Sequence, residues 1–220
     1  MIIKIIGAFL TLFLAVSAQA RDYAFSVIDT DGEPIANALV MLDGEFSGEA
    51  SEQHAIMDQI DQAFVPRVLA VTKDTVVDFP NSDDIRHHVY SFSPAKTFEL
   101  KLYEKKPDNP ITFDEPGIVV LGCNIHDQMI GYIAVSDTPH YALTDDQGRA
   151  TISAPDTQSA RVWHESMAVN QHKVKRLTLT DTNERGEYVL TVANQATTFP
   201  QPSEQEAPGF NNQRFQQYGD

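Results

Sequence analysis

Pro116-Gly-Ile-Val-Val-Leu-Gly122-Cys123-Asn124-Ile125-His126-Asp127-Gln128-Met129-Ile-Gly-Tyr-Ile-Ala-Val135 holds two apolar runs around a short polar loop. The runs, 117–121 and 131–135, are rich in Val and Ile and have the length of strands, so the stretch reads as two strands joined by a loop. The loop carries Cys123, His126 and Met129 at C-x2-H-x2-M spacing. A thiolate, an imidazole and a thioether are soft donors suited to a late transition metal, whereas calcium or magnesium would call for carboxylates and carbonyls.

Working outward, the chain is a succession of short alternating apolar segments bounded by Gly, Pro, Asp and Asn. Strands are predicted over 23–28, 38–42, 67–71, 76–79, 88–92, 97–102, 149–153, 160–164, 174–180 and 187–192. A single short helix is predicted near 51–60. Many short strands with turn residues between them make an all-β fold of two sandwiches. The Asp29-Thr-Asp31-Gly32 and Asp145-Asp-Gln-Gly148 runs read as turns, since the twelve-position calcium loop is absent. Asp83 and Asp84 read as caps of a solvated loop.

Copper with such donors takes a trigonal His2Cys set with a long axial Met. The loop supplies one histidine, so a second must come from elsewhere, and His87 and His88 stand at the start of the strand predicted over 88–92. Neighbours on a strand point to opposite faces, so only one of the pair can face the loop. The spacing to the following strand favours His87.

Residues 1–20 hold Lys4, an apolar run from Ile5 to Val16 and the ending Ala18-Gln-Ala20, the pattern of a cleaved export leader. That run is short for a membrane span, and no later stretch is apolar enough to be one. A periplasmic location follows as an expectation. Cys123 is the single cysteine, so an internal disulfide is excluded and the thiol reads as functional. The formal net charge is −15, which repels nucleic acid and favours basic partners. From about residue 194 the composition turns to Gln, Pro, Glu and Asn, and 196–220 reads as a disordered tail.

Phe64-Val-Pro66, Val76-Val-Asp-Phe-Pro-Asn81, His87 and the 116–135 stretch together resemble the cupredoxins, most of all amicyanin and more distantly plastocyanin. The likeness covers roughly 55–136. It implies a Greek-key β-sandwich and one type-1 copper ion held by His87, Cys123, His126 and Met129. Two departures stand out: His88 occupies the position where the family usually has Asn, and Ile125 the position where amicyanin-like loops have Pro. Proline lacks an N–H, so the Ile125 amide is expected to reach the Cys123 sulfur. The segments 27–42 and 144–164 resemble a carboxypeptidase-regulatory-like β-sandwich. The expected organisation is therefore a leader at 1–20, a first part of that sandwich at 21–46, the copper domain at 47–137, the second part at 138–195 and the tail at 196–220. The whole arrangement resembles exported proteins labelled methylamine-utilisation proteins, a label that follows from the amicyanin likeness and does not show that an amine is involved.

The functional expectation is a one-electron carrier or relay, not an enzyme, exchanging electrons at His126. Its redox partner is unknown, with a basic docking surface such as a c-type cytochrome. The alternative is a copper-handling module for delivery or sensing, which would exchange its metal readily with a chelator.

Overall fold

The computed structural model describes residues 20–44, 46, 53–167 and 174–193. The leader, save its last residue, and the 196–220 tail lie outside the described residues. Within them the chain forms β1 (Arg21–Ile28), β2 (Leu39–Leu42), β3 (His54–Ile56), β4 (Asp58–Ile60), β5 (Ala63–Val65), β6 (Val68–Thr72), β7 (Thr75–Asp78), β8 (His87–Ser93) and β9 (Lys96–Tyr103). There follow β10 (Ile111–Phe113), β11 (Gly117–Gly122), β12 (Ile130–Ser136), β13 (Tyr141–Leu143), β14 (Arg149–Ala154), β15 (Ser159–Trp163), β16 (Lys175–Thr178) and β17 (Tyr188–Thr191). The fold is all-β, with a single 3-10 turn at Glu165–Met167 among the described residues. None of the described helices is long and apolar enough to cross a membrane.

The helix expected at 51–60 is not formed over its described part. His54–Ile56 runs parallel to β7, and Asp58–Ile60 forms a hairpin with β5. Helix propensity over so few residues is weak, and backbone pairing with neighbouring strands overrides it.

The main sheets are β14-β1-β17, β13-β2-β15-β16, β6-β12-β11-β8-β9 and β10-β7-β3. Three hydrophobic clusters show how they stack. Tyr23, Phe25 and Val27, alternating along β1, pack with Val40, Leu42, Ile152 and Val162, which fills the space between the first two sheets. Val71, Val77, Val89, Phe113, Val119, Leu121, Ile133 and Val135 fill the space between the last two. A middle cluster joins Leu39, Met41 and Trp163 of the second sheet to Val68, Ile118, Tyr132 and Ala134 of the third. The sheets therefore lie four deep, and both inner sheets are covered on both faces. This accounts for β2, Leu-Val-Met-Leu, being buried at every position, and for the near-continuous burial along β12. A strand with one face in water would alternate.

Chain order crosses this stack. β1 pairs with β14 and β17, and β2 with β13 and β15, so residues 21–42 complete sheets built from residues beyond 140. The described strands between them in sequence, β3 to β12, form the third and fourth sheets and the β4–β5 hairpin. The two Asp-Gly runs are turns closed by their own carboxylates. Asp29 Oδ1 accepts from the amides of Asp31 and Glu33, and Asp145 Oδ1 from those of Gln147 and Arg149.

Candidate metal centre

β11 and β12 pair antiparallel down to Gly122 opposite Ile130, so residues 123–129 are the loop that closes this hairpin. Inside it the Met129 amide donates to the His126 carbonyl at 2.9 Å, and the Ile130 amide to the Gln128 carbonyl at 3.0 Å. β8 runs beside β11, with Tyr90 opposite Gly122, and this neighbourhood carries His87 to the loop. A Cβ on Gly122 would lie 2.7 Å from Tyr90 Cζ, so the missing side chain is what lets the Tyr90 ring lie against this strand.

Three donor atoms converge at this end of the sandwich. Cys123 Sγ lies 4.0 Å from His87 Nδ1 and 3.7 Å from His126 Nδ1. All three atoms lie within 4.8 Å of one another, and the two rings are 5.0 Å apart at their centroids. Metal–nitrogen and metal–sulfur bonds of about 2.0–2.3 Å imply edges of about 3.5–4 Å in a trigonal set, so the two sulfur–nitrogen separations fit a metal between the donors. His87 is fully buried and Cys123 nearly so, while His126 is partly exposed. Met129 is buried in the same hydrophobic cluster as Cys123.

His88 goes elsewhere. Its Nε2 lies 2.9 Å from Glu99 Oε1, and its ring packs on Tyr90 with centroids 5.6 Å apart. Strand alternation separates it from the loop, and a bulge in the β8–β9 pairing next to His87 adjusts the register there. The Ile125 side chain is 53% exposed, so this part of the loop faces outward.

Asp83, expected to cap a solvated loop, instead buttresses His87. Its Oδ2 lies 2.6 Å from His87 Nε2. It also accepts the backbone amides of Asp61 at 2.6 Å and Gln62 at 3.0 Å. Those two residues form the turn of the β4–β5 hairpin, with φ of 52° and 59°. Burial alone would raise the Asp83 carboxyl, but the hydrogen bonds from the Gln62 amide, His87 and the Asp61 amide hold it below the usual range. An ionised carboxylate can only accept, so His87 Nε2 is the donor, the tautomer that in a neutral ring leaves the Nδ1 lone pair toward Cys123. In sequence, the signal was Asp83 standing four residues before His87. It is the spacing of countless loop aspartates and means little until the hairpin is placed. Asn81 shapes the same loop, donating through Nδ2 to the Ile85 carbonyl at 2.8 Å.

Its structural neighbours include cupredoxins. A Cu-containing nitrite reductase (NirK) from Thermus scotoductus SA-01 is 23% identical over 44% of this chain and 26% of its own, with a TM-score of 0.37. A reduced Cu(I) form of an amicyanin mutant is 18% identical over 44% of this chain and 98% of its own, with a TM-score of 0.35. A purple cupredoxin from Nitrosopumilus maritimus is 20% identical over 39% of this chain and its full length, with a TM-score of 0.33. The chain thus spans about a quarter of the nitrite reductase. No protein-family profile and no curated protein matches it.

Proposed function

We propose that this chain holds one copper ion through His87, Cys123 and His126, with Met129 as a weaker fourth donor, and serves as a one-electron carrier. The observation that carries this reading is the convergence of two imidazole nitrogens on a single buried thiol, at 4.0 and 3.7 Å. A His2Cys set with a thioether nearby suits copper in both common oxidation states. Bound copper supplies a one-electron couple and an intense thiolate charge-transfer colour when oxidised. The residues do the rest. Asp83 keeps the His87 lone pair aimed inward. A His2Cys set completed by Met129 leaves no open coordination position for a substrate, which argues against catalysis. His126, partly exposed, offers a ring edge through which an electron can pass to or from a partner. With a net charge of −15, that partner is a redox protein with a basic face. The leader pattern at 1–20 supports a periplasmic setting for this exchange.

The test is the visible spectrum of the copper-loaded protein without residues 1–20. The oxidised form should be intensely blue, and Cys123→Ser should abolish the colour while leaving the sandwich folded. A colourless copper-loaded wild type would overturn the reading.

A further inference from the structure

The metal loop is held from the other sandwich. Ile130 directly follows Met129, and its carbonyl oxygen accepts a hydrogen bond from Arg67 Nη1 at 3.2 Å. The same guanidinium grips Glu165. Nε donates to Oε1 at 2.9 Å and to Oε2 at 3.1 Å, and Nη2 donates to Oε2 at 2.6 Å. Glu165 opens the 3-10 turn just after β15, a strand of the second sheet. Arg67 stands just before β6, in the third. The Arg67 carbonyl accepts the Tyr132 amide at 2.9 Å, and its guanidinium carbon sits 5.7 Å from the centre of the Tyr132 ring. Tyr132 in turn packs on the buried Trp163, two residues before Glu165, with centroids 5.5 Å apart.

A guanidinium is a planar fork whose donors keep fixed directions. A carboxylate gripping Nε and Nη2 therefore also decides where Nη1 points, and here it points at Ile130. The Met129 and Ile130 amides bond only a short way back, to His126 and Gln128, so the loop's exit is anchored by β12 and by this contact. We infer that Glu165 is a positioning residue for the metal centre: docking of the outer sandwich orients Arg67, Arg67 clamps the Ile130 carbonyl, and the clamp fixes Met129 beside the His87–Cys123–His126 group. The role of Met129 in this chain of contacts rests on the copper reading above; the clamp itself does not.

Hydrogen exchange of the Met129 and Ile130 amides, followed by NMR in the metal-free full chain, tests the clamp, with the amides of β14 as the control. Glu165→Gln removes the charge that orients the fork. Arg67→Lys keeps an ion pair across the sheets, but one ammonium cannot reproduce the fork. Both variants should speed exchange at Met129 and Ile130 by about tenfold, with the β14 amides unchanged. Unchanged loop amides in either variant would refute the clamp, and equal acceleration throughout would mean that Glu165 merely holds the fold together. In copper-loaded protein, both variants should shift the spectrum toward that of Met129→Ala. A wild type that takes up no copper would end the copper reading, yet the exchange result would still decide the clamp.

Discussion

At the scale of single residues, Asp83 has the largest predicted effect for the smallest change. Its carboxylate fixes the tautomer of a fully buried imidazole and is itself pinned by two backbone amides of the β4–β5 turn. Removing an outer partner of a metal-binding histidine costs about 10–100-fold in affinity. Asp83→Ala should therefore weaken copper binding by that factor in chelator competition. Asp83→Asn, which keeps an acceptor without the charge, should lose less. Equal affinities in all three proteins would show that His87 needs no buttress. Gly122 makes a second prediction. Gly122→Ala puts a methyl 2.7 Å from Tyr90 Cζ and 2.8 Å from its hydroxyl, so the ring must shift. Overpacking of this kind costs about 1–3 kcal/mol. Urea unfolding should register the loss, and in a Tyr90→Ala background Gly122→Ala should cost little further, because the obstacle is the ring rather than the backbone.

At the scale of elements, the contact between the 3-10 turn after β15 and the residue before β6 has a pH signature. Burial alone would raise the Glu165 carboxyl, but its hydrogen bond and ion pair with Arg67, with His164 and Tyr132 assisting, hold it below the ordinary value of 4.5. A depressed carboxyl stabilises the fold fully above its unfolded pKa and loses that contribution as pH falls through the folded one. Wild type should therefore melt above Glu165→Gln at neutral pH, and the gap should close as the pH drops well below 4.5. The size of the gap is limited by solvent, since both side chains are partly exposed. Melting curves at pH 7 and at about pH 3 check the sign; a gap that persists in acid means the carboxylate is not what holds the contact.

For the whole molecule, the middle cluster matters most. Val68, Ile118, Tyr132 and Ala134 of the metal-bearing sheet are covered by Leu39, Met41 and Trp163 of the next. Residues 53–137 expressed alone should still gather His87, Cys123 and His126, because every contact between those three lies within the segment. The uncovered face should lower the melting temperature by about 10 °C or more and drive self-association. A monomeric fragment melting with the full chain would show that the middle cluster adds nothing. The 138–193 segment lacks β1 and β2, around which the first two sheets are assembled, and should not fold cooperatively by itself.

Local chemistry made part of this protein legible in one dimension. Cys123, His126 and Met129 sit within seven residues between two strand-forming runs, so their nearness follows from a short covalent tether and needs no knowledge of the rest. The strand pattern was readable for the same reason, since alternation and turn residues act over a few positions. Where partners are distant in sequence, pairing decided. β8 lies against β11, and this brings His87 rather than His88 to the thiol across a sequence separation of 36. Asp83 gained its role only when a hairpin turn more than twenty residues earlier was folded onto it. The continuous burial of β2 and β12 was visible as apolar runs, but which sheet covers each face was not. Hydrophobic pattern records that a face is buried, whereas the partner that buries it is selected by the packing of the whole chain.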